Sequence, residues 1–156
     1  MRLKLQTLSL ELEAPTGVEL VPVTPEVLRA SELRPDGAPL GELEVSTFQA
    51  SLIIDRDGVL EDKARTLAES AAPAARIDSC VPVSLQGISG YRAEASVRSI
   101  KRPELPYIHV FVLAPDDLRI NGGLVIVARS ARLEWAAGDA IIASLKVLGR
   151  RRAANE

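Results

Sequence analysis

The stretch Tyr107–Leu148, YIHVFVLAPDDLRINGGLVIVARSARLEWAAGDAIIASLKVL, reads as strand, hairpin, strand, helix without a break. Tyr107–Ala114 and Leu124–Arg129 are rich in β-branched and aromatic residues. Between them, Pro115–Gly123 holds a proline, two adjacent aspartates and Asn-Gly-Gly, the residue types that accept the backbone angles of a chain reversal. Ser130 then precedes Ala131–Leu145, in which Trp135, Gly138, Ile141, Ile142 and Leu145 recur at helical spacing. The pattern predicts a helix over 131–145 with Ser130 as its N-cap and Glu134 in its first turn. A helix with one apolar stripe must lay it on a sheet, and these two strands are the nearest long apolar surface.

Working backwards, Tyr91, Ala93, Ala95 and Val97 alternate with Arg92, Glu94, Ser96 and Arg98, the cleanest two-residue period in the chain. Gln86–Gly90 before it is a predicted turn, and Arg76–Leu85 a strand in which Pro82 points to an edge or a bulge. Leu60, Ala64, Leu67, Ala68 and Ala71 share one helical face, while Glu61, Asp62, Lys63 and Arg65 point away. That predicts a surface helix packed on the sheet, with Asp57 placed to cap it and Pro73 to stop it. Glu42–Arg56 has β character through Val45, Phe48, Leu52, Ile53 and Ile54.

Towards the start of the chain the reading is less regular. Leu8, Leu10 and Leu12 alternate in one register and Leu3 and Leu5 in the other, so a bulge or slip is expected near Gln6 and Thr7. Val18–Val23 is a short strand interrupted by Pro22 and Pro25, Glu26–Glu32 a helical turn or two, and Arg34–Gly41 a loop. The expected class is α+β: a twisted antiparallel β-sheet with two main helices packed on it, as one domain over residues 1–149, followed by a flexible basic tail over 150–156 that carries Arg150, Arg151 and Arg152.

Composition narrows the function. At 156 residues and 47% hydrophobic, the chain is long enough for one core and too apolar for disorder. Its 19 basic and 21 acidic residues give a net charge of -2, so no global field draws it to nucleic acid or an anionic membrane. Aromatic residues make up 3%, which leaves no stacking platform for single strands. No apolar run approaches the length of a membrane span. Met1–Glu13 has Arg2, Lys4 and Glu11 among its leucines rather than the continuous apolar region of a signal peptide, so a cytoplasmic location is expected.

Catalytic constellations are hard to assemble. The single histidine, His109, lies mid-strand and shares a face with Tyr107 and Phe111, which suits a side chain packed in the sheet better than a base. Cys80 is the only cysteine, expected as a buried small hydrophobe between Ile77 and Val83. One histidine and one cysteine make no zinc site of the usual kind. Asp116 with Asp117 falls in a turn, and Glu61 with Asp62 on a solvent face, so neither pair is an acid and base couple. Asn121-Gly122-Gly123 opens a strand rather than a helix and lacks the lysine and hydroxyl residue of a phosphate loop. The expectation is no enzyme, no cofactor, no metal and no catalytic residue; an enzyme would have to use Arg92, Arg98 or Asp116.

Gly90-Tyr91-Arg92 opening an alternating strand, Tyr107–Leu113 after it, the apolar strand Leu124–Arg129 and a final helix ending Ser144-Leu145-Lys146-Val147 together resemble PsbP-like domains, over residues 3–148. Bacterial DcrB-like proteins and the Eag chaperones of type VI secretion share that fold. The resemblance implies a twisted antiparallel sheet, no catalytic residues and a binding or accessory role; the Eag group shields apolar segments of effectors as a homodimer. The expected function is therefore a non-enzymatic bacterial chaperone or adaptor, connected with secretion, that meets a protein partner through a sheet face. The alternative is a self-associating structural subunit with no client. Which applies turns on the strand Tyr107–Leu113, apolar on both faces: one face meets the helices, and the other either meets a partner or is covered by the helices and by the segment Val18–Gly41.

Overall fold

A computed structural model describes residues 2–5, 8–24, 27–48, 56–71, 76–96, 104–117 and 122–147. The elements in order are β1 (Arg2–Leu5), β2 (Leu8–Glu11), β3 (Val18–Thr24), β4 (Val27–Leu33), β5 (Pro39–Phe48), α1 (Arg56–Ala71), β6 (Arg76–Leu85), β7 (Ile88–Ser96), β8 (Tyr107–Pro115), β9 (Gly123–Ser130), α2 (Ala136–Ala143) and β10 (Lys146–Val147). The architecture is α+β. Seven strands form one antiparallel sheet in the order β3-β4-β5-β9-β8-β7-β6, and a second, three-stranded sheet has the order β1-β2-β10.

Two runs of sequence neighbours make up the large sheet. β3, β4 and β5 pair as a meander, and so do β6, β7, β8 and β9. A single long-range seam joins them, β5 on β9, with Gly41 opposite Ser130 and Phe48 opposite Gly123. The edges are β3 and β6, and each carries a proline and a register shift: Pro22 with the break before Thr24, Pro82 with the break between Ile77 and Ser79. Proline is tolerated there because an edge strand has no second neighbour to receive its missing N–H bond.

Period-two patterning sends the two sides of β8 and β9 to different cores. Ile108, Val110, Val112 and Ala114 of β8, with Val125 of β9, pack under Leu60, Ala64 and Ala68 of α1. Phe111 and Leu113 of β8, with Leu124, Ile126 and Ala128 of β9, pack under Ile141, Ile142, Trp135 and Leu145 and against Leu10 and Leu12. Both faces of β8 are thus covered, and β9 is covered on the α2 face and, at Val125, on the α1 face. The cover differs from the expected one: Val18–Gly41 does not fold over the sheet but extends it as β3, β4 and the start of β5.

Trp135 locks the second core. Its indole lies between Gly41 of β5 and Gly138 of α2, where a Cβ on either glycine would strike the ring. Its Nε1 donates to Glu32 Oε1 of β4 at 3.0 Å, which pairs the one polar atom of a residue that is 6% exposed.

Several local expectations are corrected. Of the helical turn expected over Glu26–Glu32, Glu26 lies outside the described residues and Val27–Glu32 is strand: Leu28 and Ala30 are buried, Arg29 is exposed, and β4 pairs with a strand on each side. Two ladders of hydrogen bonds outweigh the mild helix preference of Leu, Arg, Ala and Glu. The 34–41 loop shrinks to the tight turn Arg34–Ala38, closed by Arg34 N to Ala38 O at 2.8 Å, since Pro39–Gly41 already belong to β5. The final helix begins five residues later than expected, because Ser130 still pairs with Gly41 and its hydroxyl donates to the Arg132 carbonyl at 2.6 Å. Trp135 takes the N-cap position, with no side-chain hydrogen bond there. The turn at 86–90 is only Gln86 and Gly87. At the start, β1 and β2 pair antiparallel with Leu5 opposite Leu8, so the change of leucine register separates two strands; Gln6 and Thr7 themselves lie outside the described residues. So do Leu52–Ile54, Pro73, Val97, Arg98 and the 150–156 tail.

Candidate functional site

α1 packs on β6, β7 and β8 and leaves the rest of its sheet face without a helix among the described residues. Alternation brings Arg29 of β4, Glu42 and Glu44 of β5, and Val127 and Arg129 of β9 onto that uncovered part. With Leu67, Ser70 and Ala71 of α1 as one wall, these residues line a cleft of about 430 Å³.

The cleft has an ordered charge pattern. Arg29 and Glu44 are cross-strand neighbours, and Arg29 Nη2 lies 3.0 Å from Glu44 Oε2. Both side chains are about half exposed, at 53% and 44%, so the pair contributes no more than about 1 kcal/mol and is free to exchange partners. Glu42 stands opposite Arg129 in the register, and Arg129 Nη2 donates to the carbonyl of Ala71 at 2.8 Å. Positive and negative groups therefore alternate along the floor, with Val127 and Leu67 as its apolar part. Val21, 42% exposed, sits opposite Arg29 and continues the surface to the β3 edge.

The other face holds a small pocket next to α2, lined by His109, Ser130, Trp135 and Asp139 among others. A histidine, a serine and an aspartate thus converge, which their distant sequence positions concealed. The arrangement is not a nucleophile with its base. The cavity is about 10 Å³, room for about one water, and the Ser130 proton is given to Arg132. His109 Nε2 is buried without a hydrogen-bond partner, and burial lowers its pKa, with Glu94 and Asp139 raising it and Arg92 adding to the fall.

The remaining residues considered from sequence stay apart. Arg92 lies in β7 opposite Phe111 and bridges to Glu94 at 2.7 Å. Asp116 follows the far end of β8 and accepts a hydrogen bond from Ser89 at 2.6 Å. Five residues of strand, roughly 17 Å, separate the two positions. Glu61 pairs with Arg65 on the outer face of α1. Cys80 is half-buried rather than buried; burial raises its thiol pKa, and Arg65 draws it back down. No group of three His, Cys, Asp or Glu that could hold a metal ion occurs among the described residues. Nor, among them, is any helix long and apolar enough to cross a membrane. Sequence spacing does not show the cleft: its four charges come from three strands, and one of these, β4, falls where a helical turn or two is expected.

No family model matches the chain, and no curated protein matches it. Among solved structures it is similar to a protein from Bacteroides thetaiotaomicron at 12% identity and a TM-score of 0.43, over 94% of this chain and 46% of the other. The chain thus spans less than half the length of that protein.

Proposed function

We propose that this protein is a non-enzymatic binding module, a bacterial cytoplasmic chaperone or adaptor that takes a helical segment of a protein partner in the cleft beside α1. The observation that carries the reading is the uneven cover of one sheet face: on the α1 side the helix occupies β6, β7 and β8, while the β9, β5 and β4 part of that same face carries no helix among the described residues. Three strands span about 10 Å between the outer two, which matches the diameter of one helix. The chemistry of the cleft selects an amphipathic segment. An apolar stripe meets Leu67 and Val127, and flanking charges of both signs meet Arg29, Glu42, Glu44 and Arg129.

The resemblance to PsbP-like domains supports the same reading and extends it to a role connected with secretion and a homodimeric state. Ile108, Val110, Phe111, Val112 and Leu113 are buried, so the surface proposed for the partner is the uncovered part of the sheet rather than its middle.

Capture from native lysate, run in parallel on the wild type and on Ser70→Trp, tests this. Ser70 is exposed on the cleft wall, so the indole fills the cleft without entering the core. A stoichiometric partner held by the wild type and lost by the variant supports the proposal. A partner held equally by both sinks the cleft as its site, and recovery of the chain alone as a discrete oligomer favours a self-associating subunit.

A further inference from the structure

His109 stands in the middle of β8 on the face under α2, and the groups around it come from every element packed there. Glu94 of β7 is its cross-strand neighbour, with Arg92 two residues along. Ala128 of β9 is its neighbour on the other side. From α2 come Gly138, Asp139 and Ile142, and from the helix entry Trp135. Nearby polar groups bond elsewhere: the Ser130 hydroxyl to the Arg132 carbonyl, the Trp135 indole to Glu32, and Arg92 to Glu94. His109 Nε2 is buried and has no partner.

We propose that His109 is a pH-sensitive latch for α2: as a neutral imidazole it lets the helix seat over β8 and β9, and on protonation it loosens that helix. A neutral ring needs little at Nε2. A charged ring must place an N–H⁺ there, in a space of about 10 Å³ where Nε2 makes no hydrogen bond. Desolvation acts on the ring more strongly than the carboxylates Glu94 and Asp139, which favour the charge, and Arg92 opposes it. The closed arrangement therefore binds the proton more weakly than any state in which the ring reaches water. Its seating is fullest above the ordinary histidine pKa of about 6.5 and weakens as the pH falls below it.

Trp135 is the single tryptophan and lines the same pocket, so the molecule carries its own reporter. Between pH 8 and pH 5, with far-UV circular dichroism confirming that the chain stays folded, we expect the Trp135 emission to shift to the red reversibly. Amide protection factors over Ala136–Ala143 fall in the same range, by up to about tenfold per pH unit, the limit for one proton. Both changes disappear in His109→Leu. Asp139→Asn, at an exposed position, removes a charge that favours the imidazolium and enlarges the pH-dependent change, which keeps the test available if His109→Leu does not fold. Emission and protection that stay constant in the wild type from pH 8 to pH 5 overturn the proposal. So does the same transition persisting in His109→Leu, or an Asp139→Asn protein whose pH response is unaltered.

Discussion

Arg129 of β9 closes the C-terminus of α1: its guanidinium donates to the carbonyl of Ala71 at 2.8 Å, across 58 residues of sequence. The last turn of α1 has no basic residue of its own, so the cation that suits a helix C-terminus is supplied by the neighbouring strand. Arg129→Met should lower stability by about 2 kcal/mol in urea titrations, in the range of a hydrogen bond to a charged group. Arg129→Lys should recover part of that, because an ammonium restores the charge without the forked geometry. A loss below about 0.5 kcal/mol for the methionine variant would show that the contact does not anchor the helix.

Gly90 of β7 tests the closeness of the central strands. A Cβ at this position would collide with the backbone carbonyl of Val112 in β8, an atom that cannot turn away as a side chain can. Gly90→Ala should cost about 3 kcal/mol, the upper end of overpacking. Gly87→Ala is the comparison: it has open space but a φ of +78°, so only the left-handed strain of about 1–2 kcal/mol applies. Thermal melts of the two variants should rank them in that order.

Adjacent positions on α1 should behave in opposite ways. Leu60 is 0% exposed beneath the helix, and Val59 is 46% exposed on its surface. Leu60→Ala removes buried methyl groups and leaves a cavity, which should cost about 3 kcal/mol in urea titrations. Val59→Ala should stay within about 0.5 kcal/mol.

Cys80 should react sluggishly with an aromatic disulfide reagent at pH 7.5. Burial holds its thiol pKa up, and Arg65 opposes that shift, so the thiolate fraction is small and access is partial. The labelling rate should stay below that of free cysteine in buffer and rise through the unfolding transition in guanidinium. Arg65→Gln removes the lowering influence and should slow the native-state reaction further; an accelerated reaction would contradict this account.

Sequence periodicity served best where one face of an element is buried and the other wet. β7 and α1 satisfy that condition, and Ala93, Ala95, Leu60, Ala64 and Ala68 all lie where alternation or helical spacing puts them. The edge position of β6 is legible too, because Pro82 restricts where that strand can sit. β4 is the exception: its residues suit a helix slightly better than a strand, and its pairing on both sides makes it a strand. α2 is shorter than its apolar stripe for a related reason. The apolar stripe from Trp135 to Leu145 is present, but the indole serves as the helix entry rather than as part of an earlier turn. The cleft was least legible of all, since Arg29, Glu42, Glu44 and Arg129 become neighbours only through the β4–β5 and β5–β9 registers.

The seam between β5 and β9 has a kinetic consequence. Each meander closes through short connections and low loop entropy, whereas the seam must bring Gly41 to Ser130 across the whole of α1 and three strands. The two cores depend on it unequally. Leu60, Ala64 and Ala68 pack largely on strands from one meander, so the α1 side is built from residues near one another in sequence. The core holding Leu28, Leu43, Ile126 and Trp135 draws on both meanders and exists only once the seam has closed. The chain thus has an early half and a late half, and the cleft, whose floor straddles β5 and β9, is completed with the late one.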